Sequence, residues 1–151
     1  MNYVFIGDSF PKQYDEEFTK KGKFNFSNTI FNNLVVEELE KNHNTFVLSA
    51  PYVGHYPIYS KTKKLKEIKV SDSHYIVKYN NLIGINAYSK TKNLVKSFKK
   101  HCTFKNDINF LVSETHLHNM KAAIKLKKKC PNSKITLLVF DLPENVKGVK
   151  K

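Results

Sequence analysis

Short uninterrupted apolar runs alternate along this chain with longer stretches in which apolar residues recur at helical spacing. Tyr3 to Ile6 is such a run, ending in Gly7-Asp8, the pattern of a buried strand that enters a loop. Ser9 to Phe24 is polar, contains Pro11 and Gly22, and reads as a long connection. A helix follows with Asn25 or Ser27 near its cap; Ile30, Leu34, Val35 and Leu39 are assigned inward, and Asn32, Asn33, Glu37 and Glu40 outward. It ends at the turn Lys41-Asn42-His43-Asn44.

Thr45 to Ser49 predicts a second strand, closed by Ala50-Pro51 and followed by an aromatic loop, Tyr52 to Tyr59. A basic stretch from Lys61 to Lys69 leads to His74-Tyr75-Ile76-Val77, whose β-branched and aromatic side chains suit a strand. Tyr88 to His101 reads as a helix with Tyr88, Leu94, Val95 and Phe98 inward. Ile108 to Val112 is the next strand, running into Ser113-Glu114-Thr115-His116. From about Asn119 to Lys129 a helix places Met120, Ala123, Ile124, Leu126 and Cys130 on one side and Lys121, Lys125, Lys128 and Lys129 on the other. Ile135 to Phe140 is a continuous apolar strand ending at Asp141. Strands and helices in alternation, with strands apolar throughout, predict an α/β, Rossmann-like domain: a mostly parallel sheet with helices on both faces.

At 151 residues the chain fits one domain. Its boundaries are expected at 1–144, with 145–151 a polar tail. A strand followed by no covering helix reads as a truncation point before a further domain. No apolar run approaches the ~20 residues of a spanning helix, and the N-terminus reads as a strand, not a secretion signal. A cytoplasmic setting is therefore expected, with Cys102 and Cys130 as buried free thiols rather than a disulfide or metal pair. The net charge of +13 predicts attraction to polyanions, or else a surface solvated by lysine. The sequence contains no Arg, the residue that specific nucleic-acid readers favour.

Ligands of open parallel sheets bind beyond the carboxyl ends of the strands. Four such ends carry polar groups: Gly7-Asp8-Ser9, Ser49-Ala50-Pro51, Ser113 to His116, and Asp141-Leu142-Pro143. His116 is the sharpest candidate, since an imidazole near neutrality moves protons and hydrogen-bonds hydroxyls; the competing reading is a loop histidine capping the next helix. His118 reads as a surface residue, and the histidines have no zinc-binding spacing. No glycine-rich phosphate loop is present, so no nucleotide site is expected in this domain. Phe5-Ile6-Gly7-Asp8-Ser9 matches the nucleophile block of GDSL-type esterases, but no histidine follows His118 to complete a triad.

The stretch from Asn28 to Leu39, Ala50 to Tyr59, and above all Ser113 to Glu144 with Lys121-Ala122-Ala123-Ile124-Lys125-Leu126 and Asp141-Leu142-Pro143-Glu144, resembles the opening of bacterial family 4 glycosyltransferases. The resemblance implies the N-terminal, acceptor-side half of a GT-B fold. It implies transfer of a sugar, with retention and without a metal, from a nucleotide-sugar donor to a saccharide or lipid-linked acceptor in capsular or exopolysaccharide synthesis. By position His116 matches the histidine that lines the reaction centre. Asp8, Ser9, Phe10, His55, Tyr56, Glu114 and Asp141 are the expected acceptor-binding residues. No cofactor is implied beyond the donor, which would sit in a missing C-terminal domain, so this stretch alone is expected to be inactive. The lysines suggest a peripheral position at the anionic inner face of the plasma membrane. The alternatives are a basic α/β module for nucleic acid or a protein partner, then the esterase.

Overall fold

The strand predicted at the start of the chain, β1 (Asn2–Ile6), lies at the middle of a six-stranded sheet in the computed structural model, which describes residues 1–22, 26–113 and 116–140. After it come a 3-10 turn (Lys12–Tyr14), α1 (Asp15–Lys21), α2 (Phe26–Asn42), β2 (Asn44–Ser49), β3 (Lys64–Leu65), β4 (Ile68–Ser71), β5 (His74–Ile76), β6 (Tyr79–Asn80), α3 (Asn86–His101), β7 (Ile108–Ser113), α4 (Leu117–Lys129) and β8 (Lys134–Leu138). The sheet order is β4-β5-β2-β1-β7-β8. Every pair is parallel except β4 with β5. The chain is thus an α/β domain with a mostly parallel sheet, as its pattern predicts.

Alternation along β1 divides the core into two layers. Val4 and Ile6 join Phe46, Leu48, Phe110, Val112, Leu94 and Leu126 beneath α3 and α4. Phe5 points the other way, with Val47, Leu111 and Val36 beneath α2. A third cluster, Phe10, Phe18, Val53, Leu65, Ile76 and Tyr79, fills the space under α1 and the aromatic loop.

Several expectations need correction. The connection after β1 contains a helix, α1, with Phe18 fully buried on it and acidic residues in its first turn. The inward face of α2 is Thr29, Asn32 and Val36, whereas Ile30 and Leu34 are exposed. Val35 and Leu39, also assigned inward, are partly buried against the core; apolar residues lie all round this helix, so spacing alone found half of the inward face. On α3, Tyr88 is exposed while Leu94 and Phe98 are buried; Tyr88 is six residues from Leu94, well round the helix from it. Ile124 of α4 is also exposed. β8 is an apolar strand yet half-open, with Ile135 and Leu137 both partly uncovered, because it pairs only with β7 among the described residues. The lysine-rich segment holds β3 and β4, two strands its composition concealed. Cys102 and Cys130 are free and only half-buried.

Candidate functional site at the carboxyl edge of the sheet

From β1 the chain builds outward through β2 and β5, then returns to lay β7 and β8 on the other side. The gap beyond the ends of β1 and β7 is therefore the place where strand order reverses, and loops leaving in opposite directions open a crevice there. The loop after β1 is held by side chains from three other elements. Asn33 accepts from Ser9 Oγ at 2.8 Å and from the Phe10 N–H at 3.1 Å, and donates to the Phe10 carbonyl at 3.0 Å. Asn32, completely buried, donates to the Asp8 carbonyl at 3.1 Å and accepts from Ser113 Oγ at 2.6 Å. The Ser9 N–H donates to Ser49 Oγ at 3.1 Å, and His74 Nε2 lies 2.7 Å from the Ser9 carbonyl.

The aromatic loop is tied down in the same way. Asn81 donates to the carbonyls of Gly54 (2.6 Å) and Thr62 (3.0 Å), and accepts from Asn86 Nδ2 at 2.8 Å. The Tyr79 hydroxyl donates to the Pro51 carbonyl. Gly54 has φ +80°, and a side chain there would meet Tyr59.

Between these braced loops and the starts of α3 and α4 lies a cavity of about 370 Å³, lined by Asp8, Tyr52, His55, Asn86, Lys90, His116 and His118 among others. Other cavities occur, one of about 360 Å³ at the opposite edge of the sheet and one of about 510 Å³ between α2 and the Pro11–Asp15 segment. Neither is lined by a fully buried charged side chain.

Lys90 sets the electrostatics of the crevice. It is 1% exposed, and among the described residues no carboxylate comes within 4.0 Å of it. Its Nζ lies 4.5 Å from the ring centre of Tyr79 and 5.8 Å from that of Tyr52. Burial pulls its ammonium down to about 8, against the partly opposing pull of Asp8. His118 is pushed down to about 2, by burial first and then by the charges of Lys90 and His116, so it stays neutral. Burial, with Asp8 and Tyr52, raises the Tyr79 phenol well above its usual value. His116 is exposed, leads into α4, and stacks on His118 with ring centres 5.5 Å apart. Tyr52 and His55 meet edge to face at 5.5 Å.

Of the residues singled out from the sequence, Asp8, His55 and His116 line the crevice together. Ser9 and Phe10 do not: Ser9 is 2% exposed in the loop's hydrogen-bond frame, and Phe10 belongs to the core. Tyr56 lies outside the lining, under the Lys63 ammonium. Glu114 and Asp141 lie outside the described residues. Ser9 Oγ binds Asn33, and His74 reaches the Ser9 carbonyl rather than its hydroxyl, which leaves the serine without a base among the described residues. His118, read as a surface residue, faces the crevice with Nε2 buried. Lys90 was not anticipated. Its signal was spacing: Lys90, Leu94 and Phe98 follow one another at four-residue steps on the buried side of α3.

Among the described residues no group of three or more His, Cys, Asp or Glu could hold a metal ion, and no helix is long and apolar enough to cross a membrane. No family model matches the chain, no curated protein matches it, and no solved structure matches it.

Proposed function

We propose that this chain is the acceptor-binding half of a two-domain, GT-B-type glycosyltransferase, transferring a sugar from a nucleotide-sugar donor to a saccharide or lipid-linked acceptor in polysaccharide synthesis. The observation that carries the reading is the crevice at the strand-order reversal, where Tyr52 and His55 offer ring surfaces beside Asp8, Asn86, His116 and His118. Sugars are held by this combination, apolar CH faces lying on aromatic rings and hydroxyls meeting a few fixed polar groups. The resemblance of Ser113 to Glu144 to family 4 enzymes supports the same reading, and His116 belongs both to that segment and to the crevice wall.

In this scheme the rigid frame of Asn32, Asn33 and Asn81 holds the acceptor pocket, and exposed His116 stands where an incoming hydroxyl would arrive. Its imidazole can accept a hydrogen bond from that hydroxyl and orient it. A second domain carrying the donor would close over the crevice and exclude water. The exposed lysines of α3 and α4, where Lys129 beside Lys99 lowers the latter's ammonium, would favour an anionic bilayer carrying the acceptor. Sedimentation with anionic and neutral liposomes at moderate salt tests that placement; equal binding removes it.

The test of the function is sugar transfer by the whole gene product with a panel of nucleotide sugars. Transfer is expected, and His116→Ala is expected to lower turnover about tenfold or more, in the range of a lost proton-transfer or orienting group. Absence of transfer with every donor would overturn the reading. A second reading, a basic module for nucleic acid, is favoured by the charge of +13; gel-shift titration with generic RNA and DNA separates it from the first.

A further inference from the structure

We propose that the crevice recognises a carboxylate on its saccharide, so that the acceptor is a uronic-acid sugar whose carboxylate sits against Lys90 and whose ring lies on Tyr52. The proposal rests on the sugar-acceptor reading and narrows it to an acidic acceptor.

A lysine buried to 1% exposure in the wall of a cavity is costly unless its charge meets an opposite one. Nothing described in this molecule does so at close range. Among the described residues no carboxylate lies within ion-pair distance and no acceptor takes a hydrogen bond from its three N–H groups. What surrounds it is partial compensation: the faces of Tyr79 at 4.5 Å and Tyr52 at 5.8 Å, and the more distant field of Asp8. With its ammonium near 8, Lys90 is mostly charged at neutral pH. The arrangement therefore holds a cation in a largely dry wall of an open cavity, with donors unspent. A negative group entering from the crevice would supply what the described residues do not.

His118 adds a second contact. Its Nε2 is buried with no hydrogen-bond partner among the described residues, and the ring is neutral, so it offers one N–H or one lone pair according to its tautomer. A carboxylate has two oxygens, and the pair of groups here, an ammonium and a neutral imidazole, suits them.

The charge balance selects a monoanion over a diphosphate. Among the described residues Lys90 is the only lysine in the cavity lining, Asp8 shares that lining, and His118 is held neutral by its burial first and by the lysine's charge second. A diphosphate brings two or more charges and is ordinarily met by several cations or by a glycine-rich cradle of N–H groups. A sugar carboxylate brings one charge, and its ring has Tyr52, partly exposed and braced edge-on by His55, to lie against. The volume of about 370 Å³ is within the range of small-ligand sites and suits one or two sugar rings.

The test is titration of the 151-residue chain with methyl glucuronide, methyl glucoside and inorganic phosphate, followed by calorimetry and by histidine ring NMR signals. Glucuronide is expected to bind about tenfold more tightly than glucoside, the worth of one charge-assisted contact. It should shift the ring signals of His118 and His116, and Lys90→Met should erase the preference while leaving glucoside binding in place. Should Lys90→Met fail to fold, His118→Leu carries the same comparison, with glucuronide weakened more than glucoside so that the preference narrows. Equal binding of glucuronide and glucoside at the crevice would overturn the carboxylate assignment and leave the sugar-acceptor reading standing. Preference for phosphate would overturn it in favour of a phosphate-bearing ligand. Failure of all three to move the histidine signals would overturn this proposal, and the transfer assay would then decide the broader one separately.

Discussion

Ser113 Oγ donates a 2.6 Å hydrogen bond to Asn32 Oδ1, joining the end of β7 to α2 across 81 positions of sequence. The Asn32 amide nitrogen donates to the Asp8 carbonyl in turn. One buried amide therefore clamps the two strand ends that open the crevice.

Replacing Asn32 with Ala should cost ~2–3 kcal/mol, since it leaves a buried hydroxyl and a buried carbonyl without partners. Chemical denaturation measures this. Asn32→Asp tests the geometry separately, because a carboxylate can still accept from Ser113 but cannot donate to the Asp8 carbonyl.

The alternation of elements was legible because each parallel strand is a run of apolar residues and each helix repeats near 3.6; β1, β2, β5, β7 and α4 all fall within a few residues of their expected places. The buried face of α2 was legible only in part, through Val35 and Leu39. Its anchoring groups are Asn32 and Asn33, polar side chains whose partners lie in the loop after β1 and at the end of β7, and no local pattern announces a long-range hydrogen bond. Asp8 and His116 could be found as strand-end groups, and His55 only through the family resemblance. Lys90 and His118 were hidden by the same cause, charge or polarity normally marking a surface. Only tertiary packing reveals that they face inward.

Lys90 should make the protein less stable than its shape allows. With the folded ammonium near 8 and the free side chain near 10.5, the unfolded chain binds the proton more readily between those values. The cost of burying the charge is thus full below pH 8 and fades as pH rises toward 10.5. Lys90→Met should raise stability at pH 7 by ~1–3 kcal/mol, with the gap to wild type closing across that window. Thermal unfolding at several pH values checks both; a gap independent of pH would contradict the burial of charge.

His118 makes the opposite end of the pH range informative. Its folded value near 2 lies below the ordinary 6.5, so the unfolded chain takes up a proton that the folded one refuses. Stability should fall as pH drops below about 6.5. His74, also lowered by burial although its bond to the Ser9 carbonyl opposes the shift, contributes in the same direction. His118→Leu should flatten part of the acid slope and His118→Leu with His74→Gln more of it. Urea midpoints measured from pH 7 down to pH 4 provide the comparison.

Gly7 admits no side chain. A Cβ there would lie 2.6 Å from Ser113 Cβ and 2.9 Å from the Phe5 ring. Gly7→Ala should therefore destabilise by ~1–3 kcal/mol through overpacking, and should disturb the crevice by forcing β1 and β7 apart at their ends. A melting curve together with the histidine ring signals would register both effects.

The half-open flank formed by β8 and the outer side of α2 carries a consequence for handling the protein. Ile30, Phe31, Leu34, Ile135 and Leu137 are all at least one-third uncovered there, on a molecule of net charge +13. Mutual repulsion keeps such greasy flanks apart in dilute buffer, but its range shrinks to ~8 Å at physiological ionic strength and to ~3 Å in molar salt. Concentrated brine should therefore clump this chain rather than keep it dispersed, β8 offering a neighbour the edge that has no partner strand among the described residues.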